Sequence, residues 1–193
     1  TEQYSWIVGG FQLAYTLFQP LCGWLIDVIG LKIGFMICAS LWGIACLLHA
    51  GAGSWIQLAL LRFFMGGAEA SATPANAKII GEWFPKSERP VAAGWAGVGF
   101  SIGAMLAPPI IYFAHASFGW QGAFMFTGAL AILWVFLWWA CYNTPEEHPN
   151  LSKNELNFIR QDNEAPPVKM PFLTALKTVS KNKRFYGIAI PAF

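Results

Sequence analysis

Charged residues are scarce in this sequence of 193 residues, where Asp, Glu, Lys and Arg together make up 11%. An average soluble domain has about 25% charged residues, so the composition excludes an ordinary water-exposed globular surface. Hydrophobic residues make up 56% of the chain, and the sequence contains 10 Trp and 16 Phe. This composition is typical of an integral membrane protein.

Motifs of catalytic, nucleotide-binding and metal-binding sites are also lacking. The sequence shows no glycine-rich phosphate loop, catalytic triad or paired-carboxylate site. The four cysteines have neither CxxC nor metal-ligand spacing and are interpreted as small core residues; they are Cys22, Cys38, Cys46 and Cys141. The histidines also lack a partner at metal spacing and are interpreted as interfacial or solvated; they are His49, His115 and His148. We therefore expect neither a metal nor another cofactor.

Five apolar segments are long enough to cross about 30 Å of hydrocarbon. They run from Tyr4 to Ile26, Ile33 to Ala50, Ile56 to Ile80, Val91 to Phe113 and Trp120 to Tyr142, and a sixth begins at Phe185. The predicted fold is an all-α integral membrane protein with five complete transmembrane helices and the start of a sixth. The chain is therefore predicted to consist of a helical bundle at 1–142, a polar cytoplasmic central loop at 143–184 and the start of the next helix at 185–193.

Lysine and arginine are missing from the loops near 51–55 and 114–119. Apart from Arg62, every Lys and Arg lies in the alternate loops, 27–32, 78–90 and 143–184. The positive-inside rule places these three loops in the cytoplasm and the first residue on the outer side of the membrane.

Residues 60–77 carry two ionisable side chains inside an apolar run, which usually indicates a functional site. Arg62 and Glu69 are seven residues apart, so they face the same way about 10 Å apart along a helix. Gly66 and Thr73 share that face. A substrate or proton pathway is the favoured interpretation, and a structural ion pair buried in a helix bundle is the alternative.

The first span has a polar stripe formed by Gln12, Tyr15, Gln19 and Cys22. Such a stripe lines a cavity or a helix interface rather than lipid. Interhelical hydrogen bonding remains an equal alternative for the glutamines, whereas the ring and hydroxyl of Tyr15 suit a sugar-like ligand.

The fourth span is rich in glycine, and its GxxxG spacing at Gly99 and Gly103 predicts close helix packing. Ser101 lies between them, where its hydroxyl can reach a cavity. Pro108 and Pro109 predict a kink near the outer end.

The polar segment 143–184 contains two signals for short helices. Ser152 and Glu155 form a capping box, and Pro171 can open a second helix with apolar residues on one side. The basic residues at the end of this helix predict that it lies on the inner membrane face. A nucleic-acid role for this cluster is not expected.

The turn after the first span is a further motif, formed by Gly23, Asp27, Gly30 and Lys32. Gly23 allows close approach of helices, Asp27 can cap or pair near helix ends, and Gly30 permits a tight reversal. Together with Leu25, these residues resemble the cytoplasmic signature loop of the major facilitator superfamily.

Other segments resemble the same superfamily. The segment from Arg62 to Ala70 is similar to the fourth-helix signature of this superfamily. The seven-residue spacing between Arg62 and Glu69 resembles the spacing in its anion:cation symporter branch. The segment from Glu82 to Arg89 resembles the loop that follows in that branch. Two further segments, Gly103 to Pro109 and Tyr186 to Pro191, are similar to bacterial hexuronate transporters, with galactonate and glucarate transporters as near neighbours.

The resemblance implies a twelve-helix secondary transporter of the inner membrane, of which this chain covers the second helix to the start of the seventh. It implies a monomer without enzymatic activity that carries out proton-coupled symport of a sugar-acid anion. The implied anion is a hexuronate, either galacturonate or glucuronate. Glu69 is then the proton-coupling carboxyl, with Arg62 as its charge partner. The expected substrate contacts are Tyr15, Arg62, Gln12 and Ser101, and the conformational loop comprises Gly23, Asp27, Gly30 and Lys32. Symport of galactonate or glucarate, a membrane-embedded enzyme and a structural membrane subunit are the alternatives.

Overall fold

The computed structural model describes residues 2–162 and 170–182, and this part of the chain consists of seven helices and no strand. The helices are α1 (Glu2–Ile29), α2 (Leu31–His49), α3 (Trp55–Glu69), α4 (Ala72–Trp83), α5 (Arg89–Cys141), α6 (Lys153–Ile159) and α7 (Phe172–Lys181). The all-α prediction is confirmed over these residues. By length and composition, α2 and α5 are able to cross a membrane. The predicted helix from Phe185 lies outside the described residues.

Glycines set the closest contacts between helices in the bundle. A Cβ atom added to Gly66 of α3 would lie 2.5 Å from the backbone oxygen of Phe11 in α1. A Cβ added to Gly128 of α5 would lie 2.7 Å from side-chain atoms of Leu47 in α2. The helices α1 and α3 therefore pack backbone against backbone, and α2 packs tightly against the second half of α5.

The predicted third span is divided into α3 and α4 by two residues, Ala70 and Ser71. Pro74 has no N–H group to donate to the carbonyl of Ala70, so the regular hydrogen-bond ladder is interrupted there. The Ser71 hydroxyl instead donates to the carbonyl oxygen of Ala68 at 2.9 Å. The division falls immediately after Glu69, the last residue of α3.

The predicted fourth and fifth spans form a single element, α5, which is broken at Gly119. Gly119 has φ 71° and ψ −177°, a conformation that favours glycine because it has no Cβ atom. The predicted loop at 114–119 is thus reduced to one non-helical residue. The half of α5 before Gly119 is almost entirely exposed, with Trp95 72% and Tyr112 68% accessible.

The GxxxG prediction for this half is not met by contacts among the described residues. Cβ atoms added at Gly99 and Gly103 would find nothing within 4 Å. The core prediction for the cysteines is confirmed for Cys22, Cys38 and Cys46, and is wrong for Cys141, which is exposed at the end of α5.

Both short helices of the polar segment form where the sequence predicts them. The Ser152 side chain and Glu155 make the complete capping box at the start of α6. The helix α7 follows Pro171, and its apolar residues Leu173 and Leu176 are exposed. Its position on a membrane surface stays a prediction.

Candidate functional site

The helix α3, which carries Arg62 and Glu69, packs closely against α1 at Gly66. Gly66 lies between these residues and is buried against the backbone of Phe11. One turn further along α1, the Tyr15 hydroxyl is hydrogen-bonded to the Thr73 hydroxyl of α4, with 3.0 Å between the two oxygens. This bond places Tyr15 and Thr73 at the interface of α1 and α4, one turn along α1 from the close contact between Phe11 and Gly66.

Arg62 and Glu69 are both half-buried, and no hydrogen bond or ion pair joins them in the described part of the chain. The guanidinium carbon of Arg62 instead lies 5.9 Å from the centre of the Phe124 ring of α5, within range of a cation–π interaction. The positive charge of Arg62 still acts on the Glu69 carboxyl at longer range. The two groups interact electrostatically in this conformation but do not form the tight structural pair considered from the sequence.

The remaining expected substrate contacts are at different places. Gln12 is exposed on α1, one helical turn before Tyr15. Ser101 is exposed in the first half of α5, and its hydroxyl donates to the carbonyl oxygen of Gly97 at 2.9 Å. Within the described residues, no hydrogen bond joins Ser101 to Tyr15 or Arg62. The structure therefore brings Tyr15 and Thr73 together and leaves Ser101 on a separate surface.

An apolar cavity of about 210 Å³ lies between α1, α2 and α3. Its lining includes Phe18, Cys22, Cys38, Phe63 and Gly67. Because this lining offers almost no polar surface, the cavity does not suit an anionic ligand, which requires charged or hydrogen-bonding partners. The polar interface around Tyr15 and Thr73 is the better candidate for such a ligand.

The predicted conformational loop lies at one end of the bundle, which we call the basic end; it is formed by residues 27–32, 78–90 and 143–162. Gly30 alone separates α1 from α2, with φ 92°, a value that favours glycine. Asp27 accepts a hydrogen bond from the ammonium group of Lys78 in α4 at 2.7 Å. Gly23 packs beside Pro74, because a Cβ added there would lie 3.4 Å from the proline Cβ.

Lys32 extends the contacts of this loop to the end of α5. Its ammonium group donates to the side-chain oxygen of Asn143 at 3.1 Å, and its carbonyl oxygen accepts from the indole of Trp138 at 3.1 Å. Nearby, the hydroxyl of Tyr142 donates to the Glu82 carboxylate at 2.8 Å. The loop is therefore tied to both α4 and α5, and the partners Lys78, Asn143 and Trp138 could not be identified from its own motif.

The polar segment docks onto the same end of the bundle. Arg160 donates to Glu146 through Nε at 2.8 Å and pairs with it through its terminal nitrogen. Partial burial is the largest single effect and raises the pKa of the Glu146 carboxyl. The hydrogen bond from Arg160, a hydrogen bond from the Glu146 backbone and the positive charge of Arg160 together outweigh it, so the pKa lies below the ordinary value. Ahead of α7, the indole of Trp24 donates to the carbonyl oxygen of Met170 at 2.8 Å, and its ring contacts Phe172.

His49 and Phe124 are the two neighbours of Arg62 that sequence reasoning missed. The histidines were predicted to be interfacial or solvated, and His49 is not solvated, because it is fully buried at the end of α2. The rings of His49 and Phe124 are stacked, with centroids 4.9 Å apart. Sequence spacing gave no signal for this contact because the three residues come from three different helices. Over the described residues, no cluster of three or more potential metal ligands was found.

Comparison with known proteins identifies relatives along the entire chain. The chain is 41% identical over 194 residues to the hexuronate transporter of Escherichia coli (strain K12), covering 100% of this chain and 45% of the relative. It is 40% identical over 195 residues to the galacturonate transporter of Dickeya chrysanthemi, covering 100% of this chain and 56% of the relative.

A more distant relative is the D-galactonate transporter of Escherichia coli O6:H1, with 31% identity over 170 residues, 86% of this chain and 40% of the relative. The chain thus spans about half the length of the curated relatives it matches. The family model of the Major Facilitator Superfamily matches residues 1–193. Together with the helical bundle and its polar interface, this match shows that the chain belongs to the Major Facilitator Superfamily, a family of transporters rather than enzymes.

Proposed function

We propose that this chain is part of a proton-coupled symporter that carries a hexuronate anion, galacturonate or glucuronate, across the inner membrane. The observation that carries the proposal is that α3 bears two half-buried ionisable residues, Arg62 and Glu69, and packs through Gly66 against α1, the helix of Tyr15. The relatives with 40–41% identity are a hexuronate transporter and a galacturonate transporter, and they supply the substrate class. The complete transporter would require further helices, as the greater length of those relatives indicates.

The polar interface suits a sugar acid for chemical reasons. A carboxylate in a low-dielectric cavity needs fixed positive charge, and a guanidinium group offers it two parallel hydrogen bonds. Arg62 makes no hydrogen bond within the described residues, so its donors are available to a ligand. The hydroxyls of Tyr15 and Thr73 and the amide of Gln12 can bind sugar hydroxyls, and Ser101 is a contact only where another conformation brings α5 to this interface.

Glu69 is the carboxyl that we assign to proton coupling. Desolvation favours the neutral form of a carboxylic acid, whereas a nearby arginine favours the charged form. Glu69 has no direct partner in this conformation but lies within the field of Arg62. A movement that hydrates the interface or brings the guanidinium closer would therefore promote proton release, and the opposite movement would promote proton binding.

The topology proposed for the membrane has five crossings by the described helices. They are α1, α2, α3 with α4, and the two halves of α5 before and after Gly119. The basic end is cytoplasmic in this arrangement, and the loops at 51–55 and Gly119 face outward. Residues 1–142 form the bundle, 143–184 the cytoplasmic loop and 185–193 the start of the next helix, and the transporter acts as a monomer in the lipid bilayer.

The test uses the full-length parent transporter in membrane vesicles. Labelled galacturonate uptake is measured under an imposed inward proton gradient, with glucuronate, galactonate and glucarate as unlabelled competitors. We expect gradient-dependent uptake that hexuronates inhibit best. The Glu69→Gln variant should lose gradient-driven uptake and retain exchange of labelled for unlabelled substrate, because a neutral amide cannot release a proton.

The matched control is Glu147→Gln, which makes the same change at an exposed carboxyl in the polar segment. It should leave both reactions unchanged. Gradient-driven uptake by Glu69→Gln at the wild-type rate at every pH would contradict the coupling role. Absence of galacturonate uptake by the wild-type protein would contradict the substrate assignment.

A second candidate function is symport of galactonate or of galactarate and glucarate. A D-galactonate transporter and a probable galactarate/D-glucarate transporter are each 31% identical to the chain. This identity is lower than that to the hexuronate and galacturonate transporters. Competition by galactonate or glucarate stronger than that by glucuronate would favour this candidate.

A further inference from the structure

His49 contains a buried hydrogen-bond acceptor that the fold leaves unused. The residue is 0% exposed, and its Nδ1 lies 2.6 Å from the carbonyl oxygen of Ala45. Because a carbonyl oxygen can only accept, Nδ1 carries a proton, and in the neutral ring Nε2 then presents a lone pair. This Nε2 is buried and has no hydrogen-bond partner among residues 2–162 and 170–182. Buried polar atoms are normally satisfied, so the exception requires an explanation.

Arg62 and His49 both contact the ring of Phe124. The His49 ring is stacked on Phe124 with an angle of 16° between the planes, and the guanidinium of Arg62 lies over the same ring. The charge of Arg62 acts on His49. A protonated imidazole would be an unpaired buried cation beside a second cation, so the neutral ring fits these surroundings.

The other groups packed around His49 offer its Nε2 no competing charge among the described residues. From α5 the residue in contact is Phe124, which does not titrate. From its own helix, the thiol of Cys46 is bonded to the Phe124 carbonyl and the Thr127 hydroxyl. Arg62 of α3 is therefore the charged neighbour of His49, and Glu69 is the next ionisable group along α3.

We propose that His49 is the second partner of Arg62, a positioning residue whose Nε2 accepts a hydrogen bond from the guanidinium when Glu69 is protonated. This inference rests on the proton-coupled function proposed above. When Glu69 is ionised, its carboxylate attracts the guanidinium along α3. When Glu69 is neutral, that attraction disappears, and Nε2 becomes the favourable acceptor next to the ring on which Arg62 already lies.

The hydrogen bond to His49 would then stabilise only the state in which Glu69 holds its proton. Removing Nε2 leaves the ionised state unchanged and makes the protonated state less favourable. By linkage, a lower pH is needed to populate the protonated state. We expect the pH of half-maximal gradient-driven uptake to fall by about one unit, as the loss of one hydrogen bond to a charged group would produce.

The experiment compares two substitutions in the full-length transporter. His49→Phe retains an aromatic ring to stack on Phe124 but has no nitrogen acceptor. His49→Gln places an amide oxygen at about the position of Nε2 and restores the acceptor. His49→Phe should shift the pH profile of galacturonate uptake to lower pH, and His49→Gln should return it towards the wild-type profile. A purely structural role would lower the amount of active protein equally at every pH, and an unshifted profile for His49→Phe overturns the inference.

A second measurement does not depend on transport. The ring nitrogens of ¹⁵N-labelled histidine are followed by magnetic resonance in the wild type at alkaline pH and in Glu69→Gln, whose neutral amide imitates protonated Glu69. The Nε2 resonance of His49, assigned by its loss in His49→Phe, should move to the position of a hydrogen-bonded acceptor in Glu69→Gln. An unmoved resonance overturns the inference even if the protein transports hexuronate. Lack of proton-driven uptake by the wild type contradicts the proposed function instead.

Discussion

Replacing Gly66 by alanine should separate α1 from α3 at the centre of the candidate site. The added Cβ would lie 2.5 Å from the Phe11 carbonyl oxygen and 3.1 Å from its carbonyl carbon. Both are backbone atoms of a helix, so they cannot move away by a side-chain rotation. The two helices must part until the 2.5 Å contact exceeds 3.0 Å, the shortest approach that Cβ atoms ordinarily show.

The expected magnitude combines two opposing terms. Overpacking of a well-packed core costs about 1–3 kcal/mol, whereas alanine is favoured over glycine within a helix by about 0.5–1 kcal/mol. We therefore expect Gly66→Ala to lower the free energy of unfolding by about 0.5–2 kcal/mol. Gly10→Ala provides the matched control on the same helix pair, because its nearest neighbour would be the Ala59 carbonyl oxygen at an ordinary 3.8 Å. That variant should be as stable as the wild type or slightly more stable.

The assay is thermal unfolding of the purified full-length protein and both variants in the same detergent, followed by the loss of helical circular dichroism. A lower midpoint for Gly66→Ala together with an unchanged or higher midpoint for Gly10→Ala is the expected result. If Gly66→Ala is as stable as the wild type, or if both variants are destabilised equally, the close approach of α1 and α3 at Gly66 is refuted.

Three further predictions concern the polar contacts. Tyr15→Phe removes the hydroxyl that we assign to a sugar hydroxyl of the substrate. The loss of one hydrogen bond costs about 0.5–1.5 kcal/mol, so the apparent substrate affinity should weaken by up to about tenfold while the protein still folds. An unchanged apparent KM for uptake would contradict this role. Asp27→Asn breaks the ion pair with Lys78, in which the aspartate side chain is 55% exposed. A double-mutant cycle with Lys78→Gln should therefore give a coupling free energy below about 1 kcal/mol. A larger value would show that solvent screens this pair less than its exposure implies. The pKa of Glu146 is lowered in the folded protein, so the stability that its carboxylate contributes should be complete above the ordinary pKa of 4.5 and disappear as the pH falls through the lowered pKa. Because Arg160 and Glu146 are both more than a third exposed, Glu146→Gln should lower the free energy of unfolding by less than about 1 kcal/mol at pH 7 and not at all at pH 2, as measured by thermal unfolding. An equal cost at both pH values would contradict this titration.

The parts of the fold that follow from local chemistry could be predicted from the sequence. Gly30 adopts the positive φ that a one-residue reversal requires, and Ser152 and Glu155 form their capping box between neighbouring residues. The orientation of Arg62 and Glu69 towards another helix rather than lipid also follows from helical periodicity and the cost of charge in hydrocarbon. Each of these features depends on a few residues close in the sequence.

Contacts between distant helices could not be predicted in the same way. Phe124 lies beneath Arg62, and Lys78 pairs with Asp27, because helix packing brings α5 and α4 to those positions. Hydropathy marked His49 as interfacial since it ends an apolar run, although the stacking on Phe124 buries it completely. The two ionisable residues Arg62 and Glu69 were identified, but the Phe124 ring that Arg62 contacts was not.

The breaks in the helices show a similar limit. Hydropathy cannot distinguish one span from two helices when both halves are apolar, so the interruption before Pro74 was missed. At Gly119 the opposite occurred, since a predicted loop was replaced by a single residue with positive φ.

The exposed half of α5 before Gly119 has a consequence for the biosynthesis of the protein. Large side chains project from it on several sides, with Trp95 72%, Met105 69% and Phe113 68% accessible. Contiguous apolar surface of this extent causes aggregation in water, whereas lipid tails solvate it without penalty. In a bilayer this half of α5 is therefore stable without protein neighbours, whereas the same segment released into the cytosol would aggregate or become a substrate for chaperones and proteases.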